Sequence, residues 1–191
     1  MREISNLKLH LFAQLFIQRA QAAYPSPTSL QQRECDLVVK GFVSGAERGA
    51  MFNNSTGLFD TDRSSDPALT DAQVRDMVLG GGQLTYTCAP PGSGYRMALD
   101  RDMDGLLNYD ELVVYGSSPA SSDTDGDGLS DNDEVTVHGT NPALADSDTD
   151  GLADNVELFT TGTNPNNADS DGDGLPDYLD ADDDNDGVSD A

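Results

Sequence analysis

DRDMDGLLNYDE (residues 100–111), DTDGDGLSDNDE (123–134), DSDTDGLADNVE (146–157) and DSDGDGLPDYLD (169–180) are four versions of one pattern, set at an interval of 23 residues. Each has carboxylates at positions one, three, five and twelve, with Gly at six and an apolar residue at seven. These acids are Asp100, Asp102, Asp104 and Glu111; Asp123, Asp125, Asp127 and Glu134; Asp146, Asp148, Asp150 and Glu157; and Asp169, Asp171, Asp173 and Asp180. A fifth copy begins 13 residues after the fourth, at Asp182, Asp184, Asp186 and Gly187, and has no twelfth position. A hard cation such as Ca2+ takes roughly six to eight oxygen ligands from a sharply turned loop, and carboxylates alternating around a glycine supply them. The pattern predicts several Ca2+ ions per chain.

Charge follows the same division. The 191-residue chain has 35 acidic and 10 basic side chains, a net charge of −25. Residues 1–99 are balanced, and Arg101 is the last basic residue. An acidic run of this kind is ordinarily a solvated, disordered tail. The regular Gly at position six and the apolar Leu106, Leu129, Leu152, Leu175 and Val188 at position seven argue otherwise. Without cations the carboxylates repel one another, so folding and metal binding are expected to be one event. The same charge excludes nucleic acid as a partner, because it repels phosphate.

The expected architecture is a small α+β N-terminal domain followed by an irregular, calcium-stabilised repeat array with little regular secondary structure. Residues 1–33 are read as an amphipathic helix and linker, 34–99 as the small domain and 100–191 as the array. Leu7, Leu11 and Leu15, with Phe12 and Phe16, fall at helical spacing. Gln14, Gln18 and Arg19 interrupt the apolar run that a secretory signal needs, so a docking helix is expected there, and any export signal would lie upstream. No transmembrane segment is present. Asp36–Ser44 and Gly49–Phe52 read as strands, 53–66 as a polar loop, and Asp71 to about Leu79 as a helix capped by Thr70. Gln83–Cys88 alternates like a half-buried strand. Asn53 and Asn54 each satisfy a glycosylation sequon, a weak signal. Gly80–Gly82 follows a helix and lacks a nearby Lys, which removes a phosphate loop.

Cys35 and Cys88 stand at the start of one expected strand and the end of another. Calcium loops imply an oxidising exterior, which favours a disulfide between them; two buried thiols are the alternative. No Cys/His zinc spacing, thioredoxin-like pair or haem-attachment motif occurs.

The first three loops fit the general EF-hand ligand pattern, but the eleven-residue connections do not fit paired long helices. They carry Gly116 and Pro119, Gly139 and Pro142, and Gly162 and Pro165, and Asn before Pro is pushed from helical geometry. The unit Asp-x-Asp-x-Asp-Gly-Leu-x-Asp followed by Gly-Thr-Asn-Pro resembles the bacterial thrombospondin type 3 repeat, over about residues 100–191. That resemblance implies a chain wrapped around a row of calcium ions. Its ligands would be the acids above plus the ninth-position Asn108, Asp131, Asp154, Asp177 and Asp190. Asp180 departs from the pattern with a shorter arm. Residues 34–99 resemble, more faintly, a module that precedes such repeats in bacterial secreted proteins.

Catalysis finds no support. His10 and His138 are the only histidines; His138 falls in a connection where Tyr115 and Thr161 are its equivalents, the serines lie mostly in acidic loops without a partnered His, and the paired carboxylates are accounted for as ligands. The expectation is a non-enzymatic, extracellular or cell-surface module with a spacer or assembly role and protein partners. The fifth loop's closing ligand is expected from a following repeat, or from a neighbouring chain in a self-associated polymer. Two alternatives stay open: a dockerin-like recognition module, and the C-terminal tail of a larger secreted enzyme.

Overall fold

The structure is a computed structural model that describes residues 14, 15, 17, 18, 20, 35–77 and 82–184. Two compact units divide the chain, Met1–Val114 and Tyr115–Ala191. The first unit therefore extends past the sheet and takes the first acidic loop with it.

Hydrophobic alternation and tight turns build the first unit. Strands β1 (Asp36–Val43) and β2 (Ala46–Asn53) form a hairpin in the register Val43↔Ala46 and Val39↔Ala50. Its two-residue turn has positive φ at both Ser44 (52°) and Gly45 (92°), the geometry whose twist matches that of antiparallel strands. Strand β3 (Leu58–Thr61) pairs with β2, and β4 (Gln83–Ala89) pairs with β1, which gives the antiparallel order β3-β2-β1-β4. The sequence predicts loop throughout 53–66, whereas the chain forms β3 there. Four residues are too short to show alternation, and β3 is held by pairing with β2 and by a bridge from Phe59 to Leu69.

One sheet face buries Leu37, Val39, Ala50, Phe52 and Phe59 with Val74 of helix α1 (Asp71–Asp76). Phe59 meets Phe52 and Tyr86 edge-on, with ring centroids 5.2 and 6.4 Å apart. Thr70 caps α1 as expected, in a reciprocal box with Gln73. Ile17 and Ala20 join this core, whereas Leu15 is 49% exposed. Of the apolar positions expected at helical spacing, Leu15 is thus not part of this core. Leu7, Leu11, Phe12 and Phe16 lie outside the described residues.

The other face buries Val38, Ala89, Ala98 and Leu99, with helix α2 (Gly94–Ala98) packed on β1 and β2. Gly49 permits this approach, since a Cβ there would stand 1.9 Å from the Ala98 carbonyl oxygen. Asp36 holds the turn before α2, accepting from Gly92 N (2.7 Å) and Gly94 N (2.9 Å). Cys35 and Cys88 are joined as a disulfide across the β1–β4 edge, with Cα atoms 5.4 Å apart.

Beyond α2 the chain has no strands among the described residues. Short α-helical turns, α3 (Asn108–Asp110), α4 (Asp131–Asp133) and α5 (Asp154–Val156), each continue into one wider π-helical turn: Glu111–Tyr115, Glu134–His138 and Glu157–Thr161. The fourth repeat has only a 3-10 turn, Asp177–Leu179. Little of this region is regular secondary structure.

Candidate metal centres

Each acidic loop is wound by its own side chains. The first-position carboxylate accepts from the amide at position four: Asp100 from Met103 N, Asp123 from Gly126 N, Asp146 from Thr149 N and Asp169 from Gly172 N, all at 2.7 Å. The fifth-position carboxylate accepts from the amide at seven, with Leu106, Leu129 and Leu152 at 2.7 Å and Leu175 at 2.8 Å. These short-range bonds turn the chain inside each loop, as Asp side chains do in turns. Positions four and six both take positive φ. Glycine fills position six in every described loop, and Gly126 and Gly172 fill position four, where Met103 (70°) and Thr149 (67°) accept the strain instead.

The winding gathers the carboxylates. Asp100, Asp102 and Asp104 bring ligand oxygens within 4.8 Å of one another, as do Asp123, Asp125 and Asp127, Asp146, Asp148 and Asp150, and Asp169, Asp171 and Asp173. The twelfth residues Glu111, Glu134 and Glu157 are buried, at no more than 1% exposure. Placement of the last two is legible in the structure of the Gly-Thr-Asn-Pro motif. Gly139 and Gly162 end the π-helical turns in the left-handed conformation, and their amides donate to the Glu134 and Glu157 carbonyls at 2.6 and 2.7 Å. The next residue then reaches back: Thr140 Oγ1 donates to Glu134 Oε1 (3.2 Å), and Thr163 Oγ1 to Glu157 Oε1 (3.0 Å).

The partner oxygens are left over. Glu134 Oε2 and Glu157 Oε2 are buried and accept no hydrogen bond among the described residues. The same holds at position three for both oxygens of Asp102 and for Asp125 Oδ2, Asp148 Oδ2 and Asp171 Oδ2. A buried anionic oxygen without a donor is strongly unfavourable unless a cation meets it. Burial pushes the Glu134 carboxyl up to about 8, with the Asp125 charge adding to the effect. Burial also raises Glu157 to about 7, with Asp148 and Asp150 adding charge and the Thr163 hydrogen bond opposing. Asp125 and Asp148 rise for the same reasons, burial first and neighbouring Asp charges after it. All-oxygen donors, anionic and preformed, suit a hard divalent cation and Ca2+ above all.

The ninth residues sit differently. Both oxygens of Asp131 accept from Thr124, one from N (2.8 Å) and one from Oγ1 (2.7 Å). Asp154 does the same with Ser147, and Asp177 with Ser170. Among the described residues, Asn108 accepts only Arg101 N (3.0 Å) and donates to Ala98 O. The second and ninth residues are thus matched: a hydroxyl faces Asp, and Arg101, which has none, faces Asn. Each ninth residue latches the loop base, and its amide donates to the residue just before the loop: Leu99, Ser122, Ala145 or Ala168. Position two was not among the site residues expected from the sequence.

The family model of the bacterial TSP3 repeat matches residues 123–145 and 146–168. Residues 123–168 are two bacterial TSP3 repeats. No curated protein and no solved structure matches the chain. The repeats and the Asp clusters together point to calcium binding. The first loop shares the winding of these TSP3 repeats. The fourth keeps the winding but relaxes at its end, where Asp180 is extended (φ −87°, ψ 145°) and accepts Asp182 N at 3.0 Å. Leu175 there is 48% exposed, against 5% for Leu129. Asp182 lies in a bend and Asp184 in a turn, while Asp186 and Asp190 lie outside the described residues.

Proposed function

We propose that the protein is a non-enzymatic, extracellular calcium-binding structural module, a spacer or surface-assembly element whose repeat region is folded by Ca2+. The observation that carries the reading is the set of buried, donorless carboxylate oxygens at positions three and twelve, in loops whose backbone is already turned toward one point. When bound, Ca2+ would supply the positive charge that these oxygens lack. In the second and third loops it would be held by the Asp residues at positions one, three and five and by Glu134 or Glu157. The ion ties together residues eleven positions apart and replaces a packed core, which the exposed Val137, Phe159 and Leu179 do not form.

An extracellular setting is supported by the Cys35–Cys88 disulfide, a bond that persists in oxidising compartments. It also fits the metal, since extracellular calcium modules bind at about 10⁻⁴–10⁻³ M. Among the described residues no helix is long and apolar enough to cross a membrane. Titrating calcium into chelator-treated protein, with hydrodynamic radius and far-UV circular dichroism as readouts, tests the proposal. Calcium-specific compaction that magnesium does not reproduce is expected. An expanded chain indifferent to calcium would overturn it.

A further inference from the structure

Tyr109 and Asp110 stand at positions ten and eleven of the first loop, where the second and third loops carry Asn132-Asp133 and Asn155-Val156 and the fourth carries Tyr178-Leu179. Both residues grip the sheet domain. Tyr109 N donates to Asp62 O at 3.1 Å, and buried Asp110 accepts Ser64 N at 2.7 Å. The guanidinium groups of Arg48 and Arg63 stand 4.6 and 5.1 Å from the Tyr109 ring centroid. Arg48 is itself fixed to Asp62 (2.8 Å) and Asp66 (2.6 Å), so the surface that receives Tyr109 is built into the domain.

The third loop treats the second in a parallel way. Its tenth residue, Asn155, donates its amide to Asp127 Oδ2 at 3.1 Å and its side-chain NH2 to the Asp127 carbonyl. In the first and third loops the tenth residue therefore grips what precedes it. Before the third loop that is another repeat; before the first it is the segment joining β3 to α1. The partner here supplies two guanidinium groups, and the Tyr109 ring takes cation–π contacts from them that an amide could not.

We propose that the sheet domain is a cap standing in for a preceding repeat: through Asp62, Ser64, Arg48 and Arg63 it holds Tyr109 and Asp110, prebuilds the first metal centre, and is itself stabilised when calcium enters that centre. The inference rests on the calcium reading above. Its logic is linkage. A ligand that binds only where the grip is intact favours the gripped state of both parts, and the coupling is reciprocal. Terminal caps are a general need of repeat arrays, whose units contact only their neighbours.

Hydrogen exchange of the full chain, with and without calcium, tests it at the amides of β1 and β2. Calcium at a hundred times the first centre's dissociation constant should raise their protection about 100-fold. In the Tyr109→Asn, Asp110→Ala double variant the first centre should bind calcium more weakly while the other loops still bind it, and most of that gain should vanish. Asp102→Asn, which weakens the first centre and leaves the grip intact, should lose the gain too, while Asp125→Asn in the second loop should keep it. A wild-type chain that binds calcium without added protection of β1 and β2 would overturn the cap, as would a double variant keeping the full gain. A wild-type chain that binds no calcium would bring down the calcium reading itself.

Discussion

At the residue scale, the closing glutamates show what a spacing pattern reveals and what it conceals. Position twelve is legible as a candidate ligand in Glu134 and Glu157, but the hydroxyl that aims each one lies six residues further on, in Thr140 and Thr163. The Gly-Thr-Asn-Pro motif was read as a family mark and a helix breaker, and its Thr has this second task. Hydrogen bonds to charged groups contribute about 1.5–3 kcal/mol, so Thr140→Val should weaken calcium at the second loop by roughly tenfold or more. Thr140→Ser should restore it. Calorimetric titration of the variants would show this, and a Val variant with unchanged affinities would exclude the role. The ninth residues carry a similar lesson. Asp131, Asp154 and Asp177 look like further ligands by position, but their match to Thr124, Ser147 and Ser170 emerges only when the loop is folded.

Protons compete for the same oxygens. Glu134 titrates near 8 and Glu157 near 7 in the metal-free loops, both above the ordinary value for a glutamate. An acid raised by folding takes up protons as the chain folds, so its contribution to stability is complete below the ordinary value. It is lost as pH rises through the raised one. Metal-free repeats should therefore be most compact near pH 4.5 and loosen toward about pH 8, while calcium, which must displace the proton, binds more tightly over that window. Titrations in buffers of different ionisation enthalpy should register proton release near pH 7. Affinity that stays flat from about pH 6 to 8 would contradict this.

At the element scale, strands β1, β2 and β4, helix α1 and its Thr70 cap were readable because alternation, turn residues and a capping box are local signals. Strand β3 was not, since Leu58–Thr61 offers too few residues for a period and owes its geometry to the neighbouring strand. The helical turns after each loop were hidden for another reason. Gly139 and Pro142 rule out a long helix, yet they leave room for Asp131–His138, a piece that ends at that very glycine. The Cys35–Cys88 disulfide closes a separation of 53 residues across the β1–β4 edge. Removing a native disulfide from a small domain costs about 2–5 kcal/mol, so the Cys35→Ser, Cys88→Ser variant should unfold at distinctly lower denaturant concentration. An unchanged midpoint would show that the sheet alone sustains the domain.

For the molecule as a whole, the division of charge decides the account. Balanced charge over residues 1–99 permits an ordinary apolar core around Leu37, Phe52 and Phe59. From Asp100 onward the acidic residues have one basic residue among them, and there carboxylate geometry takes the place of a core. That contrast was plain in the sequence. The extent of the first compact unit was not, because contacts such as Ser64 to Asp110 join residues 46 apart and leave no local trace. The most direct test of the central claim is the number of calcium ions bound per chain, measured by equilibrium dialysis for the wild type and for the Asp125→Asn, Asp148→Asn variant. Several ions are expected in the wild type and two fewer in the variant, one from each bacterial TSP3 repeat. Equal counts, or no bound calcium in either chain, would contradict it.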